Sequence, residues 1–223
     1  MHLLSCIVDI KKLSLVLICC ITVFFLSAQQ RNCGAMQHLN LLHSKNPKLK
    51  IHMQKNELKL QKWIKNSSIA KSTVLTIPVV VHVVYNNTNE NISTAQIQSQ
   101  IDILNEDFRR LNTDAINTPS AFTSVAADCE IEFCLANIDP SGNYTTGITR
   151  TYTSQTSFSV STDAVKYSSL GGINAWNTSQ YLNIWVCNIS GGTLGYAQFP
   201  GGPSTSDGVV CDYAYFGNIG TAT

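Results

Sequence analysis

The sequence has only five histidines, and none of them follows His82. The rest of the chain therefore has no imidazole that could bind a metal ion. A zinc hydrolase holds its metal with three protein ligands and leaves one position open. Two of these ligands commonly come from a His-Glu-x-x-His helix, and no such motif occurs in the 223 residues. Valines flank His82, which predicts a buried core histidine. A Cys/His zinc site built from Cys33, His38 and His43 remains the alternative.

Other catalytic signatures are missing as well. The chain contains neither the Gly-x-Ser-x-Gly turn of serine hydrolases nor the Gly-Lys-Ser/Thr loop that cradles phosphates. A serine or cysteine nucleophile in the second half would lack a partner base, since no histidine follows His82. The acidic pairs Glu106-Asp107 and Glu130/Glu132 are typical of a helix surface and a solvated strand face. The residues alone therefore indicate no reaction.

Acidic residues are almost absent from one part of the chain. Between Gln29 and Thr76, a segment we call the leader, nine lysines and arginines accompany a single acid, Glu57. From Ile77 to Thr223, a segment we call the body, four basic residues accompany twelve acids. Opposite charges favour docking of the leader on the body, although a merely solvated leader is equally compatible. The overall net charge of +1 predicts no nucleic-acid partner.

The first 28 residues have the pattern of a signal peptide. Lys11 and Lys12 precede the uncharged apolar stretch Leu13–Leu26, and Ser27-Ala28 offers small residues for cleavage. A membrane span needs about 20 apolar residues, so the stretch is short for one, and a signal anchor is the alternative. We expect a secreted, extracellular protein with no stable membrane anchor once the signal peptide is removed.

Five of the eight cysteines lie after the predicted signal peptide, and an odd number leaves at least one thiol unpaired. Cys33, the one cysteine of the leader, is the natural candidate for the unpaired thiol. Cys187 and Cys211 lie on segments expected to be neighbours, where they could form a disulfide or remain buried thiols. Cys129 and Cys134 are predicted to face opposite sides of a strand and not to pair.

Hydrophobic spacing predicts an α/β body behind a helical leader. In the leader, apolar residues recur at helical spacing with a break at Pro47, and residues 66–73 have the composition of an exposed linker. The β-branched run Ile77–Tyr85 predicts a strand buried on both faces, as in a parallel sheet. Ser93 and Gln96 predict a capping box at the start of a helix. The apolar face of that helix is formed by Ile97, Ile101, Leu104, Phe108 and Leu111.

Four further strands are predicted in the body. Residues 131–135 alternate as in a strand with one solvated face, and Tyr181–Ile189 forms the next strand. Leu194–Phe199 is bounded by glycine and proline, which favours a sheet edge, and Asp207–Tyr213 follows it. No helix follows the last strand, which predicts a sheet face without cover.

Several stretches of the body resemble the pappalysin family of metzincin peptidases, in the family's order and spacing. They are Ile77–Tyr85, Leu104–Asn112, Gly147–Arg150, Tyr181–Asn188, and Leu194–Gly202 with Asp207–Val210. The resemblance implies a zincin-like upper subdomain, with a twisted, mostly parallel five-stranded sheet, an antiparallel edge strand and backing helices. It also implies that a small helical propeptide, residues 29–76, precedes a truncated upper part of the catalytic domain, residues 77–223.

The resemblance implies a zinc enzyme whose metal ligands lie outside this sequence. In the family, a helix with His-Glu-x-x-His-x-x-Gly-x-x-His follows the stretch that matches residues 207–223. We therefore assign no catalytic or metal-binding residue, and we expect the chain alone to be inactive. Zinc is the expected cofactor of the full-length enzyme, and calcium is a further candidate.

The resemblance also implies a peptide-binding edge strand. In the family, the edge strand pairs with the backbone of an extended protein or peptide substrate. The matching residues are Gly195, Tyr196, Ala197, Gln198 and Phe199. An ordinary edge strand without a ligand is the alternative.

Arg31-Asn32-Cys33-Gly34 resembles the family's cysteine switch, in which a leader thiolate takes the open zinc position and keeps the enzyme latent. Gly34 would let the backbone approach closely, and Arg31 could anchor the loop in an acidic cleft. The resemblance implies that the propeptide lies on the catalytic cleft. An incidental free thiol near the signal cleavage site is the alternative.

Two functions remain as hypotheses. The first is the N-terminal part of a secreted zinc metalloendopeptidase precursor, which hydrolyses peptide bonds with metal-activated water. It predicts a reading frame that continues past Thr223. The second is a non-catalytic exported protein-binding domain of the same fold, which predicts a stop codon there.

Overall fold

The computed structural model describes residues 32–66 and 73–222. The predicted signal peptide, Arg31 and most of the predicted linker lie outside the described residues. Within the described ranges, no helix combines the length and the apolar character needed to cross a membrane.

Three α-helices, seven β-strands and several short 3-10 helices form the regular structure of the described residues. The helices are α1 (Ala35–Lys45), α2 (Pro47–Asn66) and α3 (Thr94–Phe108). The strands are β1 (Asn32–Cys33), β2 (Leu75–Tyr85), β3 (Ile131–Leu135), β4 (Ile148–Tyr152), β5 (Leu182–Cys187), β6 (Thr193–Ala197) and β7 (Val209–Asp212). The predicted helical break falls at Pro47, which begins α2, where proline's missing N–H costs nothing.

The strands form one sheet in the order β1-β6-β7-β5-β2-β3, and β4 also pairs with β2. The strand β2 is long enough to pair with β3 along its first half and with β4 along its second half. The six body strands therefore occupy five positions across the sheet. All pairs are parallel except β6 with β7. The predicted mostly parallel sheet with an antiparallel edge strand is confirmed, whereas β1 and β4 were not predicted as strands.

The strand β2 forms the centre of the sheet. Its residues 79–84 are fully buried, as predicted for a β-branched run that is covered on both faces. One face packs against α3 through Ile97 and Ile101. Side chains of β2 and β5 complete this first core.

The helix α3 starts as predicted but ends earlier. Ser93 Oγ accepts a hydrogen bond from the Gln96 N–H at 3.1 Å. The Gln96 side chain does not return to Ser93; its Nε2 donates to the Phe216 carbonyl at 2.9 Å, so the capping box is half formed. The predicted helical face was wrong at Leu111, because the helix ends at Phe108 and Arg110 takes a φ of 54°. Leu111 is 73% exposed.

The second face of the sheet is covered, which contradicts the prediction of a bare face. The irregular chain between β4 and β5 packs Phe158, Val160 and Val165 against Trp185 of β5 and Val210 of β7. Sequence patterning missed this cover because the segment is rich in serine and threonine and forms no long helix. Apolar side chains spaced along a loop bury a sheet face as well as a helix stripe does.

The described cysteines are all free, so the disulfide considered for Cys187 and Cys211 is absent. Their strands are neighbours, but Cys211 pairs in register with Val186 and not with Cys187. Cys211 therefore packs towards the α3 side of the sheet, while Cys187 lies in the core on the other face. Burial raises the pKa of the Cys211 thiol to about 12. Cys129 and Cys134, predicted not to pair, are exposed free thiols.

Candidate functional site

The described part of the leader starts on the outer edge of β6. The strand β1 runs parallel to β6, with Asn32 opposite Thr193 and Cys33 opposite Gly195. The N–H of Gly34 donates to the Gly195 carbonyl at 2.9 Å. The structure thus brings Cys33 and Gly34 together with the beginning of the predicted peptide-binding strand, and the leader uses the outward hydrogen-bonding groups of that strand.

The five residues expected on that strand have different surroundings. β6 ends at Ala197, so Gln198 and Phe199 lie in the turn that follows it. Gln198 is buried, and its side chain donates to the Pro203 carbonyl and accepts from the Ser206 hydroxyl. Tyr196 is buried in the second face of the sheet. The strand thus presents mainly its backbone to a partner along the edge.

Gly34 lies unusually close to the sheet. A Cβ at this position would lie 3.0 Å from Val160 Cγ2, 3.1 Å from Thr193 Cγ2 and 3.3 Å from Tyr196 Cβ. Its φ of −85° is open to any residue, so close approach and not backbone conformation favours glycine here. Cys33, one residue earlier, is exposed.

We expect Gly34→Ala to weaken leader docking by about 1–2 kcal/mol, because the added methyl group overpacks three neighbouring side chains. Amide hydrogen exchange of β1 and the first turn of α1 measures the loss as faster exchange. Met36→Ala, at an exposed position of α1, is the matched control and should leave the exchange unchanged. Equal protection in Gly34→Ala and wild type would contradict the steric argument.

A buried polar cluster fixes α1 to the body. Nε2 of His38 lies 3.1 Å from Oδ2 of Asp163, and the His38 residue is 2% exposed. The other carboxylate oxygen, Oδ1, accepts the Tyr196 hydroxyl at 2.8 Å and lies 3.3 Å from Lys166 Nζ. Lys166 Nζ also donates to the Ser206 carbonyl at 2.8 Å. One leader histidine thus completes a network whose other members belong to the body.

The charges of this network depend on one another. Burial alone would raise the pKa of Asp163, but the His38 hydrogen bond, the Lys166 charge and the Tyr196 hydroxyl hold it below its ordinary value. Burial lowers the pKa of Lys166, and the charge and hydrogen bond of Asp163 oppose that effect. Burial and the Asp163 charge raise the pKa of Tyr196, so its hydroxyl stays protonated. The arrangement therefore holds an ionised carboxylate inside the protein.

Leader docking does not rest on the lysines. Among the described residues, His38 is the one leader side chain that lies within ion-pair distance of a body carboxylate. The leader lysines in the described helices are exposed. The leader is held on the body by backbone pairing and by one buried histidine. Its exposed lysines form no ion pair with the acidic body among the described residues.

The described residues do not form a metal site. Within 32–66 and 73–222, no group of three His, Cys, Asp or Glu side chains is placed to hold a metal ion. The alternative site of Cys33, His38 and His43 is therefore not formed, since His38 binds Asp163. The same finding gives no support to a calcium site in the described part of the chain.

His82 is the core histidine that the sequence predicted. Its Nδ1 lies 2.7 Å from Thr149 Oγ1, and its Nε2 lies 3.0 Å from Asn183 Oδ1. Burial lowers its pKa to about 4, although the Asn183 hydrogen bond acts in the opposite direction. The side chain is therefore neutral at ordinary pH and contributes to packing.

Sequence analysis missed Asp163 and Lys166. A signal was available, since Lys166 is the only lysine in the body and follows Asp163 by three residues. Lysine is seldom fully buried without a partner, and Asp163 is the nearest acid in the sequence.

The comparisons with known proteins give structural matches only. No family model matches the chain, and neither does any curated protein. Mirolysin in complex with compound 9 superposes with a TM-score of 0.66 and 60% identity, over 68% of this chain and 57% of that one. Mature mirolysin of Tannerella forsythia, in complex with a cleaved peptide, superposes with a TM-score of 0.66 and 59% identity, over 69% of this chain and 58% of that one.

A promirolysin mutant from the same organism gives a TM-score of 0.68 and 52% identity, over 78% of this chain and 60% of that one. The chain thus spans about three-fifths of the length of each of these structures. Sequence identity of 52–60% and TM-scores of 0.66–0.68 support the resemblance of this chain to the metallopeptidase family represented by mirolysin.

Proposed function

We propose that this chain is part of the precursor of a secreted zinc metalloendopeptidase of the pappalysin kind, kept latent by its leader. The observation that carries the proposal is the pairing of β1 with β6, which puts the leader on the strand edge expected to hold substrate. The likeness to mirolysin supports it, since the alignment covers 78% of this chain for promirolysin but 69% for the mature form. A leader that matches a precursor segment accounts for that difference.

The body's own contribution would be to hold an extended peptide. When the leader leaves, the outward backbone groups of β6 at Thr193 and Gly195 lose their partner. An extended protein or peptide substrate can pair with them as an added strand. Zinc, bound by residues outside this chain, would supply the Lewis acid and the activated water. The residues described here would orient the peptide backbone.

Cys33 would be the latency ligand. It is exposed at the end of β1, next to the strand edge that the substrate would use, and no disulfide engages its thiol. A zinc ion deprotonates a coordinating thiol, which makes thiolate a strong ligand for the open position. Gly34 holds the following backbone against the sheet. Arg31, the other member of the proposed switch, lies outside the described residues.

The first test is the nucleotide sequence that follows the Thr223 codon. We expect an in-frame His-Glu-x-x-His-x-x-Gly-x-x-His within a few tens of codons. A genuine stop codon at this point would overturn the enzyme proposal for this product. It would leave the alternative of a non-catalytic exported protein-binding domain that uses the β6 edge.

The second test is Cys33→Ser in the precursor expressed from the continued reading frame. We expect proteolysis of a protein substrate before the leader is removed, because a serine hydroxyl would not hold the open zinc position as a thiolate would. The wild-type precursor and the control Cys129→Ser, another exposed thiol, should stay inactive until the leader is cleaved. A chelator should abolish all activity. A Cys33→Ser precursor as latent as wild type would argue against the switch.

A further inference from the structure

The body contains a preformed acceptor next to β6. Asp163, Tyr196 and Lys166 all belong to the body, and their mutual contacts do not involve the leader. Lys166 Nζ is held by the Ser206 carbonyl and lies 5.2 Å from the Tyr196 ring centroid. Asp163 adopts a left-handed backbone with a φ of 55°, stabilised by its N–H bond to the Ser159 carbonyl. A body that organises a buried carboxylate in this way can receive ligands other than its own leader.

One oxygen of this carboxylate remains for a ligand. Tyr196 and Lys166 engage Oδ1, whereas Oδ2 contacts only His38 among the partners found in the described residues. The His38 and Tyr196 ring centroids lie 5.2 Å apart, so the Tyr196 ring forms an aromatic surface beside the Asp163 carboxylate. A cleft of about 200 Å³ borders His38 and Asp163. Loss of the imidazole would leave an acceptor and an aromatic face that solvent can reach.

We propose that Asp163, Tyr196 and Lys166 form a side-chain-binding pocket for planar N–H donors, and that His38 is its resident occupant. An ionised carboxylate only accepts hydrogen bonds, so the occupant must donate. Lys166 already balances the carboxylate charge, so a neutral imidazole or amide is accepted as well as a cation. An apolar ring of the same size would leave Oδ2 unpaired and is rejected.

The pocket also lies where a bound peptide would pass. Tyr196 follows Gly195, the residue that pairs with the leader backbone, and Gly34 lies beside the Tyr196 Cβ. A peptide on the β6 edge that continues along the path of the leader after Gly34 would direct one side chain towards Asp163, as His38 does. This extension rests on the proposed function, and it assigns the pocket as a subsite that prefers histidine, arginine, asparagine or glutamine side chains.

The test is chemical rescue in this 223-residue chain. His38→Ala should lower Tm by roughly 4–8 °C, since it leaves a buried carboxylate oxygen without its donor. Added imidazole should raise the Tm of His38→Ala in a saturable way, because a ligand of the folded state alone stabilises it. Thiophene, a ring of similar size without an N–H, should have no such effect. The control His52→Ala removes an exposed histidine of α2 and should not respond to imidazole.

Two outcomes would overturn the pocket. One is equal stabilisation by thiophene and imidazole; the other is an imidazole response that persists in His38→Ala/Asp163→Ala, which has no side-chain acceptor at position 163. Should His38→Ala not fold, His38→Gln and His38→Leu give the same comparison, because glutamine keeps the donor and leucine removes it. Higher stability of the leucine variant would then count against the proposal. These measurements are of thermal stability and do not depend on peptidase activity. The pocket can therefore be tested even if the chain proves not to belong to an enzyme.

Discussion

Stability is expected to fall by about 3 kcal/mol as pH is lowered from about 6.5 to about 4, because His82 resists protonation in the folded protein. The side chain is fully buried between β4 and β5, and burial lowers its pKa from 6.5 to about 4. One pKa unit corresponds to about 1.4 kcal/mol of stability. Thr149, Asn183, Trp176 and Trp185 surround the imidazole, and all four are neutral.

The direction follows from which state binds the proton. Below pH 6.5 the unfolded chain protonates its histidine, whereas the folded chain does so only near pH 4. The unfolded state therefore binds more protons in this window, and the free energy of unfolding rises with pH across it. The contribution is complete above pH 6.5 and lost below about 4.

Denaturant unfolding at several pH values between 4 and 7.5 measures this effect. His82→Gln should remove most of the slope, while His52→Gln, at an exposed histidine, should retain it. The difference between variants cancels other titrating groups, such as Asp212, whose pKa burial raises. An identical pH slope in wild type and His82→Gln would show that another group carries the acid sensitivity.

Lys166→Met should cost about 3–5 kcal/mol, the range found when one partner of a buried ion pair is removed. Lys166 is fully buried, and its loss leaves Asp163 without its counter-cation and the Ser206 carbonyl without its donor. Methionine fills a similar volume, so the loss reports electrostatics and hydrogen bonding more than a cavity. Equilibrium unfolding near pH 7 is the measurement.

The double variant Lys166→Met/Asp163→Asn identifies the cause. Removing the carboxylate charge should recover part of the lost stability, because no uncompensated charge then remains buried. Lys62→Met, on the exposed surface of α2, serves as the control and should change stability by only a few tenths of a kcal/mol. A double variant less stable than Lys166→Met would point to a packing role for Lys166.

The elements that could be predicted are those that carry a local pattern. The unbroken β-branched run specified β2 and its burial on both faces, and regular apolar spacing specified α3. The strand β4 was missed because three consecutive polar residues, Thr149–Thr151, separate Ile148 from Tyr152, and the strand is only partly buried. The strand β1 has two residues, too few for any periodicity. Short elements depend on their partners more than on their own sequence.

The candidate site likewise contains some residues that the sequence identified and others that it did not. The resemblance directed attention to Cys33 and to the strand that contains Gly195, and the structure places these two segments side by side. The contact between His38 and Asp163 joins residues 125 positions apart, and no pattern within either segment announces it. Such pairings become visible only when the sheet has brought the segments together.

The pairing of β1 with β6 has a consequence for the order of folding. Asn32 meets Thr193, so this contact closes a loop of about 160 residues, whereas the strands of the body can assemble without it. Long-range contacts of this kind form slowly. A strand of two residues gains few hydrogen bonds, and these offset little of the conformational entropy that is lost when the loop closes. We therefore expect the leader to dock last, on a sheet that is already complete, and to open first. Its release is a local opening at the sheet edge, and the body remains folded while it happens.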